Sequence, residues 1–83
     1  MKPTIEFKRI EAGKYYITFN GEILATITNF GANNWNLDEH TAAFDTFYVN
    51  TNKAHRWMLE DNWYSSKGQI AELFKFAANT INS

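Results

Sequence analysis

Two alternating apolar runs, residues 15–19 and 22–28, flank the dipeptide Asn20-Gly21. Alternation with a period of two is typical of half-buried β-strands. Asn-Gly between two such runs is the strongest short hairpin signal, because both residue types accept the positive φ angles that a tight turn requires. The sequence therefore predicts an antiparallel strand pair around this dipeptide, and the rest of the fold has to be built onto that pair.

Two loop lengths are compatible with the hairpin, and they place different side chains on the core face. A two-residue loop pairs Ile17 with Leu24 and leaves Ile23 on the opposite face from Ile17. A three-residue loop, with the glycine in the left-handed position of a bulge, pairs Ile17 with Ile23 and Tyr15 with Ala25. This second register collects the following apolar residues on one face: Tyr15, Ile17, Ile23, Ala25 and Ile27. We therefore expect the bulged hairpin.

Three other segments have strand-like patterns. Residues 4–10 alternate, with Ile5 and Phe7 on one side, and Trp35 and Leu37 form a shorter alternation further along the chain. Residues 44–49 are rich in aromatic and β-branched types, which favours another strand. The segment between them, residues 38–43, is interpreted as a loop.

The periodicity changes in the C-terminal part of the chain. Thr51 is predicted to cap a helix that begins at Asn52 and runs to about Tyr64. Ser66 and Gln69 then have the spacing of a capping box at the start of a second helix. The apolar residues of that helix recur at the spacing of one helical face, and they are Ile70, Leu73, Phe74, Ala77, Ala78 and Ile81.

Strands followed by helices predict an α+β fold, an antiparallel sheet of three to five strands covered on one face by two C-terminal helices. A chain of 83 residues is too short for two stable cores, so residues 1–83 are expected to form one domain. The other face of the sheet stays uncovered. In the bulged register the residues on that face are Lys14, Tyr16, Thr18, Leu24, Thr26 and Thr28.

The sequence lacks the residues that several classes of chemistry require. The chain has no cysteine, which excludes disulfides, thiolate metal sites and thiol nucleophiles. His40 stands beside Asp38 and Glu39, and His55 stands ahead of Glu60 and Asp61, but no third histidine or HExxH pattern supports a metal site. Nucleophile elbow, P-loop and dinucleotide-binding glycine motifs are missing. We therefore expect no catalysis, no cofactor and no metal.

The sequence also predicts neither a membrane span nor an export signal. No apolar run approaches the roughly 18 to 20 residues that span a bilayer. The first residues lead into the alternation of residues 4–10 without the apolar block of a signal peptide. The protein is expected to be soluble and cytoplasmic, without a membrane partner.

Aromatic residues are unusually frequent, with three Trp, four Tyr and seven Phe. We assign Phe7, Trp35, Trp57 and Phe74 to the core. Two short helices cannot turn all their rings inward, so Trp63, Tyr64 and Phe76 are expected to be partly exposed. Exposed aromatic rings are typical of protein interfaces, because they bring a large contact area with little side-chain entropy to lose.

The charge pattern adds a second element to this predicted interface. Residues 21–50 contain four carboxylates and no lysine or arginine, so this segment can attract a basic partner surface. Asp38 and Glu39 lie in it. Together with the exposed rings they predict a binding surface for another protein or for a second copy of the chain.

Nucleic-acid binding is the alternative function. Lys8, Arg9 and Lys14 lie close in sequence to Tyr16, and cations interleaved with aromatic rings on a sheet can neutralise phosphates and stack bases. A net charge of −1 and a pI near 6.0 argue against strong electrostatic affinity for nucleic acid.

The order of elements resembles that of short bacteriophage accessory proteins. The resemblance rests on Gly13-Lys14-Tyr15-Tyr16-Ile17, on Asn20-Gly21-Glu22 and Ala25-Thr26-Ile27, on Trp35-Asn36-Leu37, and on Thr51-Asn52-Lys53-Ala54. In those proteins a hairpin and a tryptophan-bearing strand precede a helix that opens with a Thr-x-x-Ala turn. The resemblance implies an early phage protein that acts in the host cytoplasm by binding and inhibiting a host enzyme or a defence protein. It transfers no binding residue to this sequence.

Overall fold

The structure, a computed structural model, describes residues 4–60 and 62–81. A five-stranded antiparallel sheet has its strands in sequential order, β1-β2-β3-β4-β5. The elements are β1 (Ile5–Glu11), β2 (Lys14–Phe19), β3 (Glu22–Gly31), β4 (Asn34–Asp38), α1 (Ala42–Asn50), a 3₁₀ helix (Lys53–Leu59), β5 (Trp63–Tyr64) and α2 (Lys67–Ile81). This confirms the predicted α+β class, with the C-terminal helix packed on the sheet.

The hairpin between β2 and β3 combines parts of both predicted registers. Asn20 and Gly21 have φ angles of 51° and 90°, and they form a two-residue turn closed by the pair Phe19–Glu22. A bulge then lies inside the strands, because Thr18 pairs with Ile23 while Ile17 pairs with Ala25. The expected pairs Ile17–Ile23 and Tyr15–Ala25 are therefore wrong.

The bulge changes which residues of β3 reach the core. Tyr15, Ile17, Ala25 and Ile27 do share one face, as expected. Leu24 has no partner in β2 and is buried, although it was predicted on the uncovered face. Ile23, predicted in the core, pairs with Thr18 on the other face and remains 40% exposed.

The segment predicted as a strand at residues 44–49 lies in a helix, and the preceding loop is shorter than expected. Thr41 caps α1, since its hydroxyl oxygen accepts a hydrogen bond from the Phe44 N–H. The same hydroxyl donates to the Ile23 carbonyl oxygen at 2.6 Å and so ties the helix start to β3. Phe44 and Phe47, three residues apart, both turn into the core. Their spacing outweighs the strand preference of the aromatic residues.

The long helix predicted from Asn52 to Tyr64 does not form; position 61 lies outside the described residues. Thr51 ends α1, and Asn52 caps the short 3₁₀ helix by accepting a hydrogen bond from the Ala54 N–H at 2.9 Å. In this 3₁₀ helix only Leu59 is buried. Trp57, assigned to the core from the sequence, is therefore 60% exposed.

Helix α2 begins and packs as predicted. The Ser66 hydroxyl accepts from the Gln69 N–H at 3.0 Å, and the Gln69 side chain accepts from the Ser65 N–H at 2.9 Å. The buried residues of α2 are Ile70, Phe74, Ala77 and Ala78, with Leu73 and Ile81 packed at the margin. Phe7 and Trp35 also pack against this core, as expected.

Both α-helices lie on one side of the sheet, which we call the helical face. Phe47 of α1 meets Phe19 of β2 with ring centroids 5.0 Å apart, and the Lys67 ammonium of α2 lies 4.1 Å from the Tyr15 ring centroid. The opposite side, the open face, is formed by three rows of cross-strand neighbours. They are Glu6, Thr18 and Ile23; Lys8, Tyr16, Thr26 and Asp38; and Lys14, Thr28, Asn36 and Trp63. Apart from Leu24, the residues predicted for the uncovered face therefore lie on it.

Candidate functional site

Trp63 lies at the edge of the open face because β5 pairs with β4. The pairs are Trp35–Tyr64 and Asn36–Trp63, so neighbouring residues of β5 point to opposite sides of the sheet. Trp63 is 57% exposed, as predicted. Tyr64 turns into the core, where its hydroxyl donates to the Met58 carbonyl oxygen at 3.1 Å, so the expected exposure of Tyr64 is wrong.

The indole of Trp63 has a second exposed ring beside it. Phe30, near the end of β3, is 63% exposed, and its ring centroid lies 5.6 Å from that of Trp63. The sequence analysis missed Phe30. The alternation that places Thr26 and Thr28 on the open face continues to position 30, so the strand pattern could have identified Phe30 as a residue of that face.

Two acidic side chains, Asp38 and Glu39, line a shallow depression next to Trp63. The depression has a volume of about 580 Å³, and its lining residues are Asn36, Leu37, Asp38, Glu39, His40, Asn62 and Trp63. It therefore contains three of the five residues predicted to bind a partner: Asp38, Glu39 and Trp63. We call the depression together with Phe30 the Trp63 surface.

Short hydrogen bonds fix the backbone around this depression. The Asn62 carbonyl oxygen accepts from the Leu37 N–H at 2.8 Å and from the Asn36 side-chain amide at 3.1 Å. An Asp38 carboxylate oxygen accepts from the Glu39 N–H at 2.6 Å, and Glu39 has a φ of 52°. The two bonds to Asn62 hold β4 against the residue before β5, and the bond between Asp38 and Glu39 fixes the start of the loop after β4.

The only ion pair found among the described residues also lies at this surface. The Glu39 carboxylate is 3.8 Å from the Lys14 ammonium; the Glu39 side chain is 63% exposed and the Lys14 side chain 33% exposed. An exposed pair of this kind is weak and is screened by salt. Within residues 4–60 and 62–81 no lysine or arginine forms an ion pair with Asp38, so the depression keeps an acidic character.

Phe76 lies apart from these residues, on α2. It is 46% exposed, as predicted, and its ring meets the His55 imidazole edge-on at a centroid distance of 4.9 Å. Phe76 is thus part of a second exposed group that the 3₁₀ helix and α2 form together. The structure does not place it in the Trp63 surface.

Three of the four residues proposed for nucleic-acid binding share the open face. Lys8 lies directly opposite Tyr16, and Lys14 is one row further along the sheet. Arg9 pairs with Tyr15 and belongs to the other face. The open face also contains the carboxylates of Glu6 and Asp38, so its charges are mixed.

A smaller hollow lies on the other side of the sheet, between the hairpin and α1. Its volume is about 150 Å³, and its lining residues are Phe19, Glu22, Leu24, Ala43, Thr46, Phe47, Asn50 and Ile81. None of the predicted site residues lies there. The hollow is mostly apolar and has the size of one small ring, so it offers no arrangement of reacting groups.

One titratable group outside the Trp63 surface is perturbed. The Tyr48 hydroxyl donates to a Glu60 carboxylate oxygen at 2.6 Å, and this hydrogen bond raises the pKa of Tyr48. The Arg56 guanidinium, 5.6 Å from the Tyr48 ring centroid, opposes the increase in pKa. The contact joins α1 to the residue that follows the 3₁₀ helix and is structural in character.

Comparisons with known proteins identify no relative of this chain. Neither a protein-family model nor a curated protein nor a solved structure shows a significant match to this chain. Within residues 4–60 and 62–81, no three His, Cys, Asp or Glu side chains are placed to hold a metal ion. In the same part of the chain, no helix is both long and apolar enough to cross a bilayer. The geometry of the Trp63 surface is therefore the basis for any assignment of function.

Proposed function

We propose that this protein is a small non-catalytic module that binds another protein through the Trp63 surface. The observation that carries the proposal is the exposed pair Phe30 and Trp63, two large rings in contact with each other on the face that the helices leave open. Aromatic residues with this degree of exposure on a rigid element are enriched at the centres of protein interfaces.

Burial of these two rings by a partner contributes substantially to the free energy of binding. Covering a large apolar side chain contributes about 1.5–3 kcal/mol. Both rings extend from strands of the sheet, so little backbone order has to be gained on binding. A protein partner that covers both rings can therefore obtain much of its affinity from this pair alone.

The depression beside Trp63 specifies the chemistry of the partner. Asp38 and Glu39 make it acidic, and the exposed indole face attracts a cation. A lysine or arginine of the partner can lie over the Trp63 ring and approach the Asp38 carboxylate. The expected partner surface is therefore an apolar patch with a basic side chain at its margin.

The resemblance to short bacteriophage accessory proteins supports a proposal for the biological role. A phage-encoded module without catalysis acts by covering a surface that its target needs. We therefore place the target among host enzymes or defence proteins, with inhibition or modulation as the outcome of binding.

The proposal is tested by affinity capture of the target from a host lysate, followed by titration of the captured protein with variants. Trp63→Ala and Phe30→Ala should each weaken binding, and Asp38→Asn should weaken binding and reduce its salt dependence. Trp57→Ala is the matched control, because Trp57 is equally exposed but lies on the 3₁₀ helix. Phe76→Ala tests the second exposed group.

All variants should keep the thermal stability of the unmodified protein to within a few degrees. Full affinity in the Trp63 and Phe30 variants, with loss of affinity in Trp57→Ala or Phe76→Ala, would move the binding surface to the helices and refute the proposal.

Nucleic-acid binding is the second candidate, favoured by the position of Lys8 opposite Tyr16 on the open face. Glu6 and Asp38 on the same face and the Lys14–Glu39 ion pair reduce the positive field that nucleic acid requires. Retention on single-stranded RNA or DNA at about 50 mM salt, lost steeply at higher salt, would support this candidate. No retention under those conditions would exclude it.

A further inference from the structure

Strand β1 forms one border of the sheet, and no described strand pairs with its outer edge. The Thr4 carbonyl oxygen accepts from the Asn20 N–H at 2.9 Å, and the Glu6 carbonyl oxygen accepts from the Thr18 hydroxyl at 3.3 Å. The even-numbered residues of β1 therefore direct their backbone groups toward β2. Because these directions alternate along a strand, the N–H and C=O groups of Ile5, Phe7 and Arg9 point outward.

We infer that a second copy of the chain pairs with this edge, antiparallel, with Phe7 on the two-fold axis. The regular part of the edge is residues 5–9, because a bulge interrupts β1 between Arg9 and Glu11. Centring the axis on Phe7 is the register that pairs this entire run with itself. It also sets outward-pointing residues opposite each other, so the pair Phe7–Phe7 and the two pairs Ile5–Arg9 make about six backbone hydrogen bonds.

The charges of β1 select the same register. With Phe7 at the centre, Glu6 of each copy lies opposite Lys8 of the other, and these attractive pairs occur twice on the open face. Centring on Lys8 would place two lysines opposite each other, and centring on Glu6 would place two glutamates opposite each other. Charged residues on a free edge normally prevent it from pairing with another strand. Here the charges disfavour the registers centred on Glu6 and Lys8 and favour the register centred on Phe7.

Aromatic contacts support the pairing on the helical face. Phe7 is half-buried, with Tyr15 at a ring-centroid distance of 6.5 Å and the Lys67 ammonium 6.0 Å from its centroid. In the paired edge the two Phe7 Cα atoms are about 5.5 Å apart, which brings their rings into contact. An interface of two short strands is small, so the dimer dissociates on dilution.

This inference does not rest on the Trp63 surface. Joining two β1 edges doubles the five-stranded sheet, and β5 of each copy then lies at an outer border. Each copy therefore keeps its Phe30–Trp63 pair free. A dimer of this kind presents two such surfaces on one continuous open face.

Charge exchange between Glu6 and Lys8 tests the register. Both side chains are exposed, so their substitution leaves the core intact. Sedimentation equilibrium over a range of concentrations should show a monomer–dimer equilibrium for the unmodified protein. Lys8→Glu alone and Glu6→Lys alone should each be monomeric, because each variant places like charges opposite each other.

An equimolar mixture of these two variants should form a heterodimer, and the double variant Glu6→Lys/Lys8→Glu should dimerise again. As an independent measurement, amide hydrogen exchange at Ile5, Phe7 and Arg9 should slow as the protein concentration rises. A monomer at every concentration refutes the inference. So do single variants that dimerise as strongly as the unmodified protein.

Discussion

Phe74 is expected to be the most sensitive position of α2. Its side chain is completely buried, its ring is stacked on Phe47 at a centroid distance of 5.8 Å, and Phe44 lies at 6.3 Å. Phe74→Ala removes the transfer free energy of the ring and leaves a cavity between α1, α2 and the sheet. Such substitutions cost about 3–5 kcal/mol. A chain of this length has a total stability of roughly 4–12 kcal/mol, so the variant should be close to unfolding.

Phe76, two residues further along the same helix, is the matched control. It is about half exposed, and its ring contacts the His55 imidazole edge-on. Phe76→Ala should therefore cost about 1 kcal/mol or less. In a domain of this size 1 kcal/mol corresponds to about 4–8 °C, so the midpoints of Phe74→Ala and Phe76→Ala should differ by more than about 8 °C.

Thermal unfolding followed by far-ultraviolet circular dichroism measures both midpoints. If Phe74→Ala does not fold, Phe74→Leu still gives a value, with an expected cost of about 1–2 kcal/mol. Equal losses of stability in Phe74→Ala and Phe76→Ala would show that α2 does not pack with the buried face described above.

Three further perturbations have expected outcomes. Gly21→Ala should lower the free energy of unfolding by about 1 kcal/mol, although the space around this residue is open, because a φ of +90° disfavours any side chain; urea unfolding measures this loss. Ser66→Ala should cost about 1 kcal/mol by removing the cap of α2 and should fray the first turn, which amide exchange detects. The hydrogen bond to Glu60 raises the pKa of Tyr48 above its ordinary value of 10.0. The contribution of this hydrogen bond to the free energy of unfolding should therefore be complete below about pH 10 and lost as the pH rises through the pKa of Tyr48 in the folded protein. In Glu60→Gln, Tyr48 should titrate at a lower pH by tyrosinate absorbance, and an unchanged titration would contradict the assigned cause.

The sheet could be predicted from the sequence where alternation and turn residues agree. The Asn20-Gly21 hairpin is such a case. Helix α2 could be predicted for a different reason, because a capping box precedes an apolar face of helical period. The bulge at Leu24 could not be predicted, because both loop lengths satisfied the local pattern and the choice depends on α1. Thr41 anchors that helix to the backbone of Ile23 and Leu24, a contact between residues far apart in sequence.

Aromatic residues misled the prediction in two places. Residues 44–49 have strand-like composition, but Phe44 and Phe47 face a core that only a helix at this position can reach. The sequence analysis assigns Trp57 to the core, and in the 3₁₀ helix it is exposed to solvent. Composition alone therefore could not distinguish a core ring from an exposed ring.

Only part of the candidate site could be predicted from the sequence, because strand alternation sends neighbouring residues to opposite faces of the sheet. Asp38, Glu39 and Trp63 come together at one depression, although Trp63 lies far from the two carboxylates in sequence. Tyr64 and Trp63 were given the same role, yet β5 sends one inward and the other outward. Without knowledge that residues 63–64 form a strand, the two could not be separated.

The late position of β5 affects when the Trp63 surface comes into existence. Strands β1 to β4 are consecutive in sequence and in space, so each needs only a tight turn to find its neighbour. Strand β5 reaches β4 after residues 39–62 have been placed, and closing that longer loop costs more conformational entropy. We therefore expect β5 to dock after β1 to β4 have paired. A chain with only its first four strands paired would then lack the Trp63 surface, so the binding proposed above would require that β5 has docked.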